Sequence, residues 1–227
     1  MKLVYPPLVL CSGISTFLPL LASVKILGHL NKHSKSLALL WIFFVFAVIA
    51  EITLYTFSWL GKQSAWIFHV YTFVEYILIV TMLTGWQNES VVAKSMRMSI
   101  PIYIFCFVFI KVSGLENFET GLHNNITRPL AVFLLSAFAF LALQNLWRRA
   151  PANLTDDYRF WMLLAMALYY STSLVFFAFM FTKQRDMLDA LFKIHAVANI
   201  IHNLLFTIGV FKVRAAQQVA LQPTAAS

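Results

Sequence analysis

The stretch DALFKIHAVANIIHNLLFTIGV, residues 189–210, decides the fold. It belongs to an apolar run, residues 190–213, that is long enough to cross a bilayer as a helix, since about 20 residues suffice. Four His and Asn side chains interrupt this run, and spacings of four, seven and eight residues from the first place them on one side of a helix. Such a stripe faces other helices or a cavity, because unpartnered polar groups are costly in hydrocarbon. The four residues are His195, Asn199, His202 and Asn203.

The composition of the whole chain is that of a membrane protein. Of the 227 residues, 60% are hydrophobic and 11% are charged, whereas about a quarter of the residues in a soluble domain are charged. We expect one membrane domain, residues 1–214, followed by a flexible tail, residues 215–227. The net charge of +8 comes from Lys and Arg at the ends of apolar runs, where membrane topology explains it. The expected partner of these charges is the lipid bilayer, and we expect no nucleic-acid partner.

Six further apolar segments precede the quoted one. Because backbone groups in lipid must be hydrogen-bonded internally, the sequence predicts an all-α bundle of seven transmembrane helices with short loops. The six segments are residues 7–28, 37–60, 66–83, 98–112, 129–147 and 160–181.

The charges of the loops predict an orientation. Most Lys and Arg residues follow the first, third and fifth segments or lie near the C-terminus, and basic loops favour the cytoplasmic side. The longest loop on the other side carries Glu116 and Glu119. We therefore predict an external N-terminus and a cytoplasmic C-terminus, with Lys32, Arg97 and Arg149 inside and Glu119 outside.

Polar and ionisable side chains concentrate between the centre and the outer ends of the predicted helices. A carboxylate in hydrocarbon must be protonated, paired or hydrated, so the two acidic residues among them carry the most information. Together the polar groups predict a cavity that is open to, or just beneath, the outer face. The candidate ligand-binding residues are Glu51, Tyr55, His69, Glu75, Tyr170, His195, Asn199 and His202.

Two arrangements of these groups stay open. In the first, a His or Arg contacts Glu51, and at least three of five residues share one cavity wall. In the second, each polar group forms an interhelical hydrogen bond worth ~0.6–2 kcal/mol, with no cavity between them. The predicted pairs are Glu51 with His69 or His202 and Glu75 with Lys111 or Arg128, and the five wall residues are Glu51, His69, His195, Asn199 and His202.

Motifs of known catalytic chemistry do not stand out. The sequence contains no G-x-S-x-G elbow and no Gly-rich phosphate loop. His195 and His202 are about two turns, ~10 Å, apart on one helix, whereas metal ligands on one helix usually lie three or four residues apart. We therefore assign no metal ligand, no cofactor and no catalytic residue.

Three stretches together look familiar. They are NNITR at residues 124–128, RFW at residues 159–161, and IHAVANIIHNLLFTIG at residues 194–209. The array resembles a family of short bacterial seven-helix membrane proteins with no assigned activity. The resemblance implies a location in the bacterial inner membrane, and it transfers no catalytic residues.

The leading hypothesis is a binding or sensing module. It takes a small polar or amphipathic ligand from the outer side and signals through a cytoplasmic or membrane protein partner. Two alternatives stay open: an intramembrane metal-dependent hydrolase acting on lipid, and a proton-coupled carrier that uses Glu51 and Glu75 as titrating groups. The sequence thus leaves open whether the protein is an enzyme.

Overall fold

The computed structural model describes residues 7–24, 35–87, 90–117, 125–149, 153–180 and 185–221, with the backbone alone for residues 90, 185 and 214–221. The regular structure in these ranges is entirely helical, and it includes seven helices that are long and apolar enough to cross a membrane, if α1 and α2 are counted as one. The prediction of an all-α, seven-helix chain is therefore confirmed. The helices are α1 (Pro7–Ser15), α2 (Phe17–Val24), α3 (Lys35–Trp59), α4 (Ala65–Trp86), α5 (Ser90–Val112), α6 (Thr127–Arg149), α7 (Tyr158–Phe179) and α8 (Arg185–Leu221).

Local sequence explains where α3 ends and where α7 begins. Gly61 follows α3 with a φ of +66°, a left-handed conformation that glycine adopts without steric cost. The N–H of Lys62 donates to the carbonyl of Phe57, and that of Gly61 to Ser58, which is the Schellman pattern. At the start of α7, the side chain of Asp157 accepts a hydrogen bond from the N–H of Arg159.

The first apolar segment is broken, whereas the sequence predicted one continuous helix. α1 and α2 are separated at Thr16, whose N–H donates to the carbonyl of Gly13. Pro19 explains the break, because it has no N–H to donate to the carbonyl of Ser15 and its ring crowds that carbonyl. Residues 25–28 of the predicted segment lie outside the described residues.

Two other boundaries differ from the predicted ones. α5 begins at Ser90 and not near residue 98, so Lys94 and Arg97 lie in its first turns and not in a loop. Polar side chains interrupt the apolar pattern there, although the residues themselves are compatible with a helix. α8 continues to Leu221, into the segment that was predicted to be a flexible tail, where alanine and glutamine favour the helical conformation.

The helices form a closed ring. Within the described residues, α1 and α2 pack against α8, α2 against α3, and the ring continues through α4, α6 and α7 back to α8. α5 packs on the outside of this ring, against α4 and α6. An apolar core of Leu, Met, Phe and Ala fills the half of the ring where α4 ends and α7 begins. The polar side chains are therefore concentrated in the opposite half, near the turn between α3 and α4.

Candidate ligand-binding cavity

A cavity of about 420 Å³ lies in the polar half of the ring. Helices α1, α3 from Phe43 onward and the first turns of α4 form one part of its wall. The second half of α7, the first half of α8 and one side chain from the start of α6 complete it. This volume lies within the usual range of sites for small molecules, about 300–1,000 Å³. The polar and ionisable lining residues are Ser12, Thr16, Glu51, Tyr55, Ser58, Ser64, Thr72, Arg128, Tyr169, His195, Asn199, His202 and Asn203.

Aromatic rings form much of the remaining wall. His195 and His202 extend this aromatic surface, since their rings lie 5.4 Å and 4.5 Å from the ring of Tyr169, measured between centroids. A ligand in the cavity would contact ring faces on several sides. The aromatic lining residues besides Tyr55 and Tyr169 are Phe43, Phe44, Phe68, Tyr71, Phe176, Phe177 and Phe192.

Glu51 faces the cavity without a partner among the described residues. It makes no hydrogen bond or ion pair in the described part of the chain, so the predicted pairs with His69 and His202 are wrong. The Glu51 carboxylate lies instead against Gly13 of α1. A Cβ added at Gly13 would come within 2.6 Å of Glu51 Oε1 and 2.5 Å of the Tyr55 hydroxyl. Only glycine leaves room here for both polar groups.

Glu75 and Arg128 form a buried ion pair behind the cavity wall, as predicted. The carboxylate also accepts hydrogen bonds from the hydroxyls of Tyr170, at 3.1 Å, and Tyr71, at 3.4 Å. The guanidinium lies 5.7 Å from the centroid of the Tyr71 ring. Arg128 reaches the cavity, but Glu75 and Tyr170 do not line it. The positive charge at the wall is therefore compensated by the carboxylate behind it.

His69 belongs to a separate cluster, at the end of α5. The Lys111 ammonium lies 2.7 Å from His69 Nδ1 and 2.6 Å from Glu116 Oε2. Because an ammonium only donates, His69 Nδ1 accepts and the ring proton is on Nε2. Burial alone would raise the pKa of Glu116, but hydrogen bonds from Lys111, Thr127 and the N–H of Ile126 outweigh it and lower that pKa below its usual value. The alternative pairing of Glu75 with Lys111 is therefore wrong.

The two histidines of α8 have defined surroundings. His202 Nδ1 lies 3.0 Å from the carbonyl oxygen of Ala165. Since a carbonyl only accepts, this nitrogen carries the proton and leaves Nε2 of the neutral ring as an acceptor. His195 Nδ1 is 3.5 Å from the hydroxyl of Ser173. Neither histidine contacts a carboxylate among the described residues.

The two asparagines of the quoted stretch attach α8 to the broken first segment. The side-chain NH2 of Asn199 donates to Ser12 Oγ at 2.9 Å, and that of Asn203 donates to Ser15 Oγ at 2.9 Å. For these two asparagines, the side-chain NH2 groups form interhelical hydrogen bonds, as in the second of the two predicted arrangements. Their contacts also hold α1 in position as one wall of the cavity.

The structure brings together four of the five residues that were predicted to share one cavity wall. Of the five residues predicted to share a wall, Glu51, His195, Asn199 and His202 line the cavity, and Tyr55 joins them. His69 does not line it, because it points from α4 toward α5. Sequence reasoning missed the contribution of α1. The signal available was the run of small and hydroxyl residues Ser12, Gly13, Ser15 and Thr16 ahead of Pro19.

The acidic and histidine side chains do not converge as metal ligands do. In the described ranges, no three His, Cys, Asp or Glu side chains lie close enough together to hold a metal ion. A catalytic zinc needs three such ligands from the protein. The described geometry therefore gives the metal-dependent hydrolase no ligand set.

No family model matches the chain, and no curated protein or solved structure is significantly similar to it. The resemblance to short bacterial seven-helix membrane proteins therefore stays a prediction.

Proposed function

We propose that the chain is a multi-pass protein of the bacterial inner membrane that binds a small amphipathic ligand in the cavity. The observation that carries this proposal is a cavity of about 420 Å³ with aromatic walls and a carboxylate, Glu51, that has no protein partner in the described residues. Glu51 is only partly exposed, and a carboxylate without a partner is costly within an apolar span. A polar group of the ligand therefore supplies the partner that the described residues do not. Apolar walls with a few placed polar groups are typical of small-molecule sites.

The side from which the ligand enters follows from the predicted orientation. The cavity lies in the half of the ring next to the turn between α3 and α4, and the loop charges place that turn outside. We therefore propose that ligand arrives from the external solution or the outer leaflet.

Helix α8 supports a sensing role. Its first half supplies His195, Asn199 and His202 to the cavity wall. Its helical backbone then continues beyond the apolar span Asp186–Val213 to Leu221. One helix thus connects the ligand to the predicted cytoplasmic side, where we propose that it contacts a protein partner.

A proton-coupled carrier remains a second candidate, and the break at Thr16 favours it. Interrupted membrane helices commonly form the substrate sites of secondary transporters, and Thr16 lines this cavity. In that function Glu51 would carry the proton. Uptake of ligand by proteoliposomes, driven by a pH gradient, distinguishes the carrier from a sensor, which binds without transport.

Binding itself can be tested with three probes of equal size in nanodiscs. They are para-trifluoromethyl phenethylamine, the corresponding phenethyl alcohol and the corresponding phenylacetate, each followed by fluorine NMR. We expect saturable binding of at least one probe to the wild type. Ala50→Phe should abolish it, because Ala50 lines the cavity. Ile49→Phe is the matched control, since Ile49 is 55% exposed on the outside of the same helix. If no probe binds saturably, or if both variants behave like the wild type, the proposed function is wrong.

A further inference from the structure

The charges in the cavity wall are unbalanced. Among the described lining residues, Glu51 and Arg128 are the only side chains from the four charged residue types. The charge of Arg128 is matched by Glu75, which also accepts hydrogen bonds from two tyrosines. Glu51 has no counter-charge in the same part of the chain. An ionised Glu51 therefore leaves the wall with one negative charge that nothing described in the protein compensates.

The histidines do not change this balance. His202 uses its Nδ1 proton for the carbonyl of Ala165, which leaves an acceptor nitrogen on the ring. His195 packs against the rings of Tyr169 and Phe176, and no described carboxylate holds it in the charged form. Both rings thus present neutral aromatic or acceptor surface, and neither attracts an anion.

The surroundings of Glu51 suit an organic cation. The ring faces of aromatic side chains attract an ammonium through their quadrupole as well as by apolar contact, and rings from α3, α4, α7 and α8 line the cavity. The hydroxyl of Tyr55, one turn after Glu51, lies on the same side of Gly13 as the carboxylate. Glu51 is the one described carboxylate that lines the cavity, whereas protein sites for hard metal cations commonly combine several carboxylates.

We propose that the ligand of this cavity is a protonated amine with an aromatic or branched aliphatic body, and that Glu51 binds its ammonium group. The amine N–H groups donate to the Glu51 carboxylate, and the body packs against the ring faces of the wall. This inference rests on the proposed function and names the class of ligand. An anionic ligand is disfavoured because Glu51 repels it and Glu75 already neutralises Arg128. A neutral alcohol fits the walls but leaves the carboxylate without a counter-charge.

The same three probes test the ligand class separately from binding itself. The amine should bind the wild type about ten- to a hundredfold more tightly than the alcohol of equal size, the usual range for a hydrogen bond to a charged group. The phenylacetate should bind more weakly than both. In Glu51→Gln, which keeps the size of the side chain, the amine and the alcohol should bind about equally. Glu51→Asp keeps the charge and should retain the preference for the amine.

The outcomes separate the two proposals. If the alcohol or the phenylacetate binds the wild type as tightly as the amine, the ligand class is wrong while the binding site stands. The same conclusion follows if Glu51→Gln keeps the full preference for the amine. If no probe binds saturably, the proposed function fails, and this inference fails with it. The wild-type ratio of amine to alcohol decides the ligand class even if Glu51→Gln does not fold.

Discussion

Replacing Arg128 by methionine removes one charge of the buried ion pair and leaves the Glu75 carboxylate in the interior. Glu75 is 1% exposed, and the hydroxyls of Tyr71 and Tyr170 are the described partners that remain to it. Removing one member of a buried pair costs about 3–5 kcal/mol, and we expect Arg128→Met to lower the free energy of unfolding by that amount. Glu75→Gln should have a similar effect, because it leaves the buried guanidinium without a counter-charge.

The double variant carries the decisive comparison. With both charges gone, the remaining loss is that of weakened interhelical hydrogen bonds, ~0.6–2 kcal/mol each. The double variant should therefore lose much less free energy of unfolding than the sum of the two single losses, which is about 6–10 kcal/mol. Reversible unfolding in mixed detergent micelles measures all three variants. Arg148→Met is the control, an exposed residue on the same helix, with an expected change within about 0.5 kcal/mol. Additive single effects would show that the two charges are not coupled, which would refute the reasoning.

Three further predictions concern the cluster of His69, Lys111 and Glu116, the predicted orientation and the docking of α1. The pKa of Glu116 is lowered in the folded protein, so its stabilising contribution is present above the unfolded pKa and is lost as the pH falls through the folded pKa. Glu116→Gln should therefore lower the melting temperature at neutral pH and lower it much less in acid. An equal loss of melting temperature at both pH values would contradict this. In a background with both native cysteines replaced, cysteine at the position of Glu119 should react with a membrane-impermeant thiol reagent on intact cells and cysteine at Arg97 should not, whereas the reverse pattern would invert the orientation. Asn203→Ala should cost ~0.6–2 kcal/mol by unfolding in micelles, because it removes one interhelical hydrogen bond to Ser15, and a loss within error of zero would show that this bond does not hold α1.

The membrane helices could be predicted from sequence because lipid admits few alternatives. Long apolar runs must form helices there, and six of the seven predicted segments coincide with single helices. The break in the first segment was visible in principle, since Pro19 lies where a continuous helix needs an N–H. The early start of α5 was missed because Lys94 and Arg97 interrupt the hydrophobic pattern without interrupting the helix.

The candidate site was only partly predictable, because residue spacing gives the face of a helix but not its neighbours. Glu51, His195, Asn199 and His202 line one cavity, as predicted. His69 lies on the side of α4 that faces α5, where it contacts Lys111. The rotation of each helix about its axis and the order of the helices around the bundle decide such pairings. Both follow from the packing of all the helices together.

Photolabelling of the cavity wall tests the central claim most directly. An aryl azide that carries a primary amine, irradiated with the wild type in nanodiscs, should modify peptides of α3 and α8, and excess para-trifluoromethyl phenethylamine should suppress this labelling. The outer surface of α5, where Phe105 is 71% exposed, reports non-specific partition into the bilayer and should be labelled without competition. Ala50→Phe should lose the competed labelling and keep the labelling on α5. Labelling of α3 and α8 that competitor does not reduce, or that Ala50→Phe retains, would contradict a ligand-binding cavity between these helices.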